Sequence, residues 1–220
     1  MENVRRVLSE KEAELQGDCS EELVFLYHGT DCHSVESIVQ QVKFGPEGHR
    51  AEGWDFHLAF YTCEEPTLPM RWAVARADAR NMVGRPVVLP AVVGFACPRE
   101  EWLALNVLDY HTNSHNQVED GFPWNRVVVD CRAGEDPALD FLSRYDAAAG
   151  CMLANPGRDI EPQDARQMEV GDGFARQVAF RETPRCRRLL NRARKFVLLA
   201  AGVDASGAAG GGGGESDDSH

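Results

Sequence analysis

The sequence predicts an α+β fold whose short strands are mostly antiparallel. Strand-like apolar runs alternate along the chain with segments whose apolar residues recur at helical spacing. Residues 86–95, which read Pro-Val-Val-Leu-Pro-Ala-Val-Val-Gly-Phe, give the clearest strand signal. Pro90 within them indicates an edge position or a bulge. No internal repeat is visible, and 220 residues suit one domain with a full core.

Composition narrows the function classes. The formal net charge of -12 argues against a general nucleic-acid binder, which normally carries a basic surface. The seven cysteines are scattered without a Cys-x-x-Cys pair, so neither a disulfide framework nor a zinc ribbon is indicated. The first residues lack the apolar core of a signal peptide, and no apolar run approaches membrane length. We expect a reducing intracellular location, in the cytoplasm or nucleus, and no membrane partner.

Residues 23–30, which read Leu-Val-Phe-Leu-Tyr-His-Gly-Thr, organise the rest of the chain. The first five form an apolar run of strand length, and the run ends at His28, Gly29 and Thr30. The next segment has apolar residues at the spacing of one helix face, namely Val35, Ile38, Val39 and Val42. We therefore expect a buried strand to present an imidazole, an unobstructed glycine backbone and a hydroxyl at one lip of a cleft.

Further elements are expected in the first half of the chain. The charged segment 1–22 can form a short amphipathic helix, which we expect to lie outside the core. A helix is expected over 34–43, and the aromatic residues of 55–62 are typical of a strand. Apolar residues spaced three and four apart predict a helix over 70–82, and a short strand is expected within 103–108.

The second half continues the same alternation. Residues 138–144 are expected to be helical and to lead into a short apolar strand at 145–150. The stretch 155–173 is rich in Asn, Pro, Gly and Asp, which predicts a loop with little regular structure. A strand is expected at 177–180, and a final helix that begins with proline is expected over 184–199.

Three short motifs carry the functional signal: Tyr-His-Gly-Thr at 27–30, Phe-Tyr-Thr at 60–62 and Arg-Gln-Val-Ala-Phe at 176–180. With these motifs the chain resembles the ADP-ribosyltransferase (ART) superfamily of the His-Tyr-Glu type, which includes poly-ADP-ribose polymerases and diphtheria toxin. It is most similar to a poorly characterised group of small ART-like domains. That group shares four segments with this chain, whose counterparts here are 28–30, 55–63, 145–150 and 177–180.

The similarity covers roughly residues 23–192, in the same order and with comparable spacing. It implies an ART-like catalytic domain over 23–200, preceded by the charged segment 1–22. Residues 201–220 contain an unbroken glycine run followed by Glu-Ser-Asp-Asp, and we expect a disordered, acidic tail there.

The resemblance implies a split β-sheet clamp, with flanking helices, that binds NAD as a substrate. It implies that His28 hydrogen-bonds a hydroxyl of the nicotinamide ribose and that the Gly29 backbone pairs with the nicotinamide amide. Tyr61 would stack on the nicotinamide ring, and Thr30 belongs to the same cofactor-binding lip. The resemblance further implies cleavage of a glycosidic bond through a cationic transition state, in which positioning of the ribose would supply much of the rate.

Gln177 departs from the family pattern, whose third residue is often glutamate. A glutamine side chain can hydrogen-bond the ribose, but it carries no charge and cannot act as a general base. We therefore expect single ADP-ribose transfer, or hydrolysis of NAD, rather than polymer synthesis. Members of the similar group also have glutamine at this place, so the substitution does not by itself indicate a dead site.

Other departures from the pattern are local. His57 and Ala59 stand where the group has glycines, and Cys63 replaces a threonine. Residues 124–132 have strand propensity, but the resemblance predicts a helix there, and we follow the resemblance. The chain has no late Glu-x-Glu, which disfavours an arginine-specific transferase.

Competing interpretations remain open. The chain can be a catalytically silent ART-like module that binds nucleotides or proteins. The basic helix of 181–195 can contact nucleic acid, although a solvated helix face explains it as well. A histidine pair at 111 and 115 has zinc-ligand spacing but lies among poor helix formers, and no metal site is expected. Cys32 or Cys63 as a nucleophile lacks a recognisable base. The ADP-ribose acceptor is left open among protein, nucleic acid, small molecule and water.

Overall fold

The structure is a computed structural model that describes residues 2–44, 55–56, 59–81, 87–110, 122–154, 160–170 and 173–199. Within these residues the helices are α1 (Glu2–Gly17), α2 (Cys32–Gln40), α3 (Thr67–Asn81), α4 (Arg99–Leu103), α5 (Trp124–Ala133), α6 (Asp136–Leu142) and α7 (Pro184–Arg192). The strands are β1 (Leu23–Asp31), β2 (Phe60–Thr62), β3 (Pro90–Pro98), β4 (Val107–Asp109), β5 (Ala147–Cys151), β6 (Glu169–Val170), β7 (Gly173–Phe174), β8 (Arg176–Phe180) and β9 (Arg194–Leu199).

The larger strands form two sheets. The first has the order β1-β3-β9 and is antiparallel throughout. The second has the order β2-β8-β5-β4 and is antiparallel except for the parallel pair of β4 and β5. Strands β6 and β7 pair separately. The predicted α+β class with mostly antiparallel strands is therefore confirmed.

The two sheets meet edge to edge at an antiparallel bridge between Tyr27 and Cys63. The Tyr27 N–H donates to the Cys63 carbonyl at 2.8 Å, and the Cys63 N–H donates back at 2.9 Å. Tyr27 lies in β1, and Cys63 directly follows β2. The bridge therefore brings the His-Gly-Thr segment of β1 beside Tyr61 of β2.

Local sequence signals explain where several of the helices begin or end. Asp31 caps α2, because its carboxylate accepts the backbone N–H groups of His33 and Ser34. Thr183 caps α7 in the same way, and Pro184 occupies the first turn, where no N–H partner is needed. Gly134 ends α5 with a left-handed φ of 79°, which glycine adopts without strain.

Both faces of the second sheet are covered by apolar side chains. Phe60, Val178 and Phe180 lie in an apolar cluster with Leu26 and Phe95 of the first sheet, to which α7 adds Leu189 and Leu190. Tyr61 and Ala179 belong to a second cluster, on the face of β2 opposite Phe60. That cluster contains Phe56 and the buried residues of α5 and α6, including Trp124, Val127, Val128 and Phe141.

The prediction of a helix over 184–199 is wrong for the residues after Arg192. The helix α7 ends at Arg192, and the next residues form β9, an edge strand that pairs with β3. The aromatic and apolar residues 196–199 suit a strand, and β3 offers them a complete ladder of backbone partners. The Phe196 ring covers Gly94, where a Cβ would lie 2.1 Å from the ring.

The N-terminal helix α1 packs against the core, which the sequence analysis did not predict. Leu8 of α1 is only 2% exposed and lies in a cluster with Tyr27, Met70 and Val92. The expectation that segment 1–22 lies outside the core is therefore wrong at this residue. The other residues from 5 to 22 are exposed or partly exposed, as the charge of the segment indicates.

Of the other predicted elements, one is confirmed and others differ in their bounds. The helix predicted over 124–132 is confirmed by α5, against the strand propensity of its valines. Residues expected as a loop at 155–173 include a 3-10 turn at Pro162–Asp164 and the short strand β6. The segment 103–108 splits between the end of α4 and the start of β4. The predictions for the tail 201–220, for the histidine pair at 111 and 115 and for His57 concern residues that lie outside the described part of the chain.

Within the described part of the chain, no helix combines the length and apolar character required to cross a membrane.

Candidate functional site

His28 connects the edges of the two sheets. Its Nδ1 lies 2.7 Å from the Tyr61 carbonyl oxygen. Because a carbonyl oxygen only accepts, the Nδ1 atom carries the proton and donates this hydrogen bond. The neutral imidazole then has an unprotonated Nε2 that can accept a hydrogen bond. The ring also stacks on Phe60, with centroids 4.5 Å apart.

His28 is held in its neutral form. Burial lowers its pKa from 6.5 to about 4, the hydrogen bond to the Tyr61 carbonyl opposes this shift, and the Arg76 charge lowers the pKa further. At neutral pH the imidazole therefore offers one donor and one acceptor rather than a positive charge.

The backbone of Gly29 is directed toward the second sheet. Along β1, the peptide groups of alternate residues point to opposite edges of the strand. Tyr27 bonds to Cys63 on one edge, and the Cys32 N–H bonds to the Leu89 carbonyl on the other. Gly29 is two residues from Tyr27, so its N–H and C=O point to the edge on which β2 lies.

The space that a side chain at position 29 would need is filled by the protein itself and not by the expected ligand. A Cβ at this position would lie 1.9 Å from the backbone oxygen of Pro69, in the first turn of α3. The glycine is therefore required by the packing of α3 over β1. Only its peptide edge, and not its Cα face, remains available for a ligand.

Beyond Gly29, β1 ends in buried polar residues. Thr30 is 1% exposed, so its side chain faces the interior rather than an open lip. Asp31 is fully buried and accepts hydrogen bonds from Ser34 and Arg76, while Arg80 makes a second ion pair at 2.9 Å. Burial raises the pKa of Asp31, but the Arg76 and Ser34 hydrogen bonds and both arginine charges outweigh it and lower the pKa.

The phenol of Tyr61 is buried on the opposite face of β2 from His28. It is 5% exposed, and its hydroxyl accepts the Phe56 N–H at 2.9 Å. Burial raises the pKa of Tyr61, only partly offset by the Phe56 hydrogen bond, so the phenol stays protonated at neutral pH.

Gln177 lies on the same face of the second sheet as Tyr61, because Tyr61 pairs with Ala179 and side chains alternate along β8. The Gln177 amide is 2% exposed and donates to the Asp55 carboxylate at 2.7 Å. The same carboxylate accepts the Leu153 N–H at 3.1 Å and pairs with Arg132 at 2.6 Å.

The three predicted residues thus form a connected set around β2. His28 donates to the main chain of Tyr61, the Tyr61 hydroxyl accepts the Phe56 N–H, and the Gln177 amide donates to the neighbouring Asp55. The structure does not bring the imidazole and the Gln177 amide to one open slot, since Gln177 is enclosed. Sequence reasoning placed Asp55 in a family motif but did not foresee that it binds Gln177.

The described residues bear on the cysteine alternative, whereas the histidine pair at 111 and 115 lies outside them. No group of three or more His, Cys, Asp or Glu side chains within them is arranged to hold a metal ion. Cys63 is fully buried, and burial raises the pKa of its thiol well above the ordinary range, which disfavours the nucleophilic thiolate. The Sγ atom of Cys32 accepts the Leu89 N–H at 3.4 Å.

Comparisons with protein-family models, with curated proteins and with solved structures found no match to this chain. The family resemblance in the motifs therefore stays a prediction.

Proposed function

We propose that this protein binds NAD along the seam between β1 and β2 and cleaves its nicotinamide–ribose bond. The products are free nicotinamide and ADP-ribose, the latter transferred singly to an acceptor or to water. The observation that carries the proposal is the hydrogen bond between His28 Nδ1 and the Tyr61 carbonyl. It fixes the orientation of the imidazole and leaves Nε2 as an acceptor for a ribose hydroxyl.

The Gly29 peptide supplies the second recognition element. A primary amide such as that of nicotinamide needs one donor and one acceptor side by side, and a strand-edge peptide offers both. Register places Gly29 opposite Tyr61, two residues beyond the bridge of Tyr27 and Cys63. The nicotinamide amide would therefore lie next to the strand that carries Tyr61.

The electrostatics suit this chemistry. Nicotinamide leaves as a neutral molecule, so the reaction needs no protonated acid, and His28 is neutral. The cationic transition state gains from ordered dipoles and a fixed ribose. Arg76 and Arg80, on the helix beside the end of β1, are 52% and 39% exposed; both pair with Asp31, and the three groups together leave one net positive charge for the phosphates of a dinucleotide.

The second candidate is a module that binds NAD or a related nucleotide without turnover. The observation that favours it is the enclosed hydrogen bond of Gln177 to Asp55. This bond engages an amide donor of Gln177 away from the surface, and glutamine supplies no negative charge to stabilise the cationic ribose.

The test is to incubate the protein with NAD and to measure released nicotinamide by chromatography and NAD binding by calorimetry. The variant His28→Asn keeps an N–H that can reach the Tyr61 carbonyl but removes the imidazole. His33→Asn is the matched control, because His33 is an exposed histidine on α2. We expect release by the wild type and the control and a loss of about tenfold or more in His28→Asn.

The outcomes separate the two candidates. Binding of NAD by the wild type without release of nicotinamide supports the silent module. Neither binding nor release would overturn both. Where release is observed, mass spectrometry of protein, nucleic-acid and small-molecule acceptors after the reaction identifies where the ADP-ribose goes.

A further inference from the structure

One edge of β9 has no partner among the strands that the structure describes, since the first sheet has the order β1-β3-β9. Tyr27 of β1 uses its N–H and C=O for the bridge to Cys63, so its two neighbours along β1 bond to β3. Carried through the register, this alternation bonds the odd-numbered residues of β3 to β1 and the even-numbered residues to β9. The N–H and C=O groups of Lys195, Val197 and Leu199 therefore point away from β3.

The side chains of these three residues lie on one face of the sheet, and two of them are exposed apolar groups. Val197 is 41% exposed and Leu199 is 51% exposed. Val39 of α2 is 38% exposed and lies near the start of β9, where Lys195 Nζ donates to the Val39 carbonyl at 2.9 Å. The free edge therefore has exposed apolar side chains near both of its ends.

We propose that β9 pairs with the β9 strand of a second copy of this chain, antiparallel and about a two-fold axis at Val197. The outward peptide groups form three hydrogen-bonded pairs, in which Val197 meets its own copy and each Lys195 meets Leu199 of the other chain. The two first sheets join into one sheet with the order β1-β3-β9-β9-β3-β1.

The side chains of β9 are complementary to their own copies in this register. Each Lys195 lies opposite an apolar residue, so no like charges meet directly across the pair. Leu199 of one copy comes to the start of the other β9, where Val39 is exposed, and both apolar side chains lose contact with water. The two-fold axis repeats this contact, as an interface between identical surfaces requires.

Lys195 does not protect the edge. A lysine on an edge strand commonly prevents pairing with another molecule because its charge stays in water beside the edge. Here the Lys195 ammonium is bound to the carbonyl of Val39 on α2. The edge from Lys195 to Leu199 is therefore left open to a second strand.

The dimer is expected to be weak because the contact is short. The six residues of β9 span roughly 20 Å, whereas stable interfaces bury about 800 Å² on each partner. We expect half of the protein to be dimeric at a concentration on the order of 10–100 µM at physiological salt. The seam lies at β1, on the other side of β3, so failure of either proposal leaves the other standing.

The test is sedimentation velocity of the full chain at concentrations below and above this range, with amide hydrogen exchange followed by NMR. We expect the apparent mass to double and the amides of Lys195, Val197 and Leu199 to exchange more slowly in the dimer. Val197→Lys places two like charges opposite each other at the axis and should weaken association by about tenfold or more. Val7→Lys is the matched control, because Val7 is 39% exposed and lies on α1, which packs on the other face of the sheet.

A second variant tests pairing through the backbone. Val197→Pro removes an N–H that points away from β3, so the bonds between β3 and β9 are kept while a bond across the dimer is lost. It should also weaken association by about tenfold or more. Circular dichroism of the dilute proteins checks that both variants of Val197 are folded.

Several results would overturn the proposal. A chain that stays monomeric at every concentration would do so. Slow exchange of the three β9 amides in such a monomer would show that another segment of the same chain covers the edge. A dimer that persists in both variants of Val197 would place the interface elsewhere. Equal weakening by Val7→Lys and Val197→Lys would show a general effect of charge.

Discussion

The Cα atom of Gly29 packs against the backbone of Pro69, so that a Cβ would lie 1.9 Å from the Pro69 oxygen and 2.7 Å from its carbonyl carbon. The obstacle is main chain in the first turn of α3, which cannot rotate away as a side chain could. We predict that Gly29→Ala lowers the free energy of unfolding by about 2 kcal/mol or more, measured by urea denaturation.

The matched control is Gly17→Ala. Gly17 ends α1, and a Cβ there would meet no atom within 4 Å. Alanine should leave the stability unchanged or raise it by about 0.5 kcal/mol, because it restricts the unfolded chain. Similar stabilities for the two variants would contradict the proposed packing of α3 over β1.

The depressed pKa of His28 predicts a specific pH dependence of stability. Burial lowers this pKa from 6.5 to about 4 in the folded protein, so the unfolded chain binds the proton more readily between these values. Stability from this residue is complete above pH 6.5 and is lost as the pH falls toward 4. The loss amounts to at most about 3 kcal/mol, since the imidazole is partly exposed.

The measurement is the free energy of unfolding of the wild type and of His28→Asn at several pH values between 4 and 7. Other titrating groups contribute equally to both proteins, so the difference isolates His28. The stability advantage of the wild type should shrink on acidification. A constant difference over this range would show that His28 is not held in its neutral form.

The hydrogen bond between Gln177 and Asp55 predicts that introducing the glutamate of the resembled ART pattern at position 177 does not create a general base. Gln177→Glu places a second carboxyl group 2.7 Å from an enclosed carboxylate. Burial and like charge raise the pKa of the introduced carboxyl, so its destabilising effect grows as the pH rises above about 4.3. We expect a loss of about 3 kcal/mol at pH 7 and a smaller loss at pH 4.5.

Denaturation at these two pH values, together with nicotinamide release, tests this prediction. Gln163→Glu is the control, because Gln163 is exposed and its replacement should change stability by less than about 0.5 kcal/mol. A stable Gln177→Glu variant with faster nicotinamide release would show that the Asp55 contact yields to a substrate.

The strands of the site could be predicted from the sequence because their signals are local. The run before His28 and the run at 177–180 are short and apolar, and both are strands. The helix of residues 124–132 shows the limit of propensity. Its valines favour a strand in isolation, but Val127 and Val128 pack together under one face of a helix whose first residue, Trp124, bonds to the Cys151 carbonyl.

The environment of Gln177 could not be predicted because it depends on long-range contacts. Its partner Asp55 is 122 positions away in the sequence. The burial of Leu8 has the same origin, since it follows from contact with Tyr27 and Met70 rather than from any local pattern. The residue types indicated which side chains can bind a ligand or take part in a reaction. Whether such a side chain is buried depends on which distant segments pack around it in the folded protein.

The placement of β9 has a consequence for synthesis of the chain. Its partner β3 has seven consecutive buried residues. One edge of β3 has no neighbouring strand until residues 194–199 have been synthesised and have left the ribosome. An exposed apolar strand edge invites pairing with another molecule. Truncation before Arg194 would leave the Ala-Val-Val-Gly-Phe segment of β3 uncovered along this edge. Such a shortened product should therefore collect in insoluble material, even though it retains every residue of the seam.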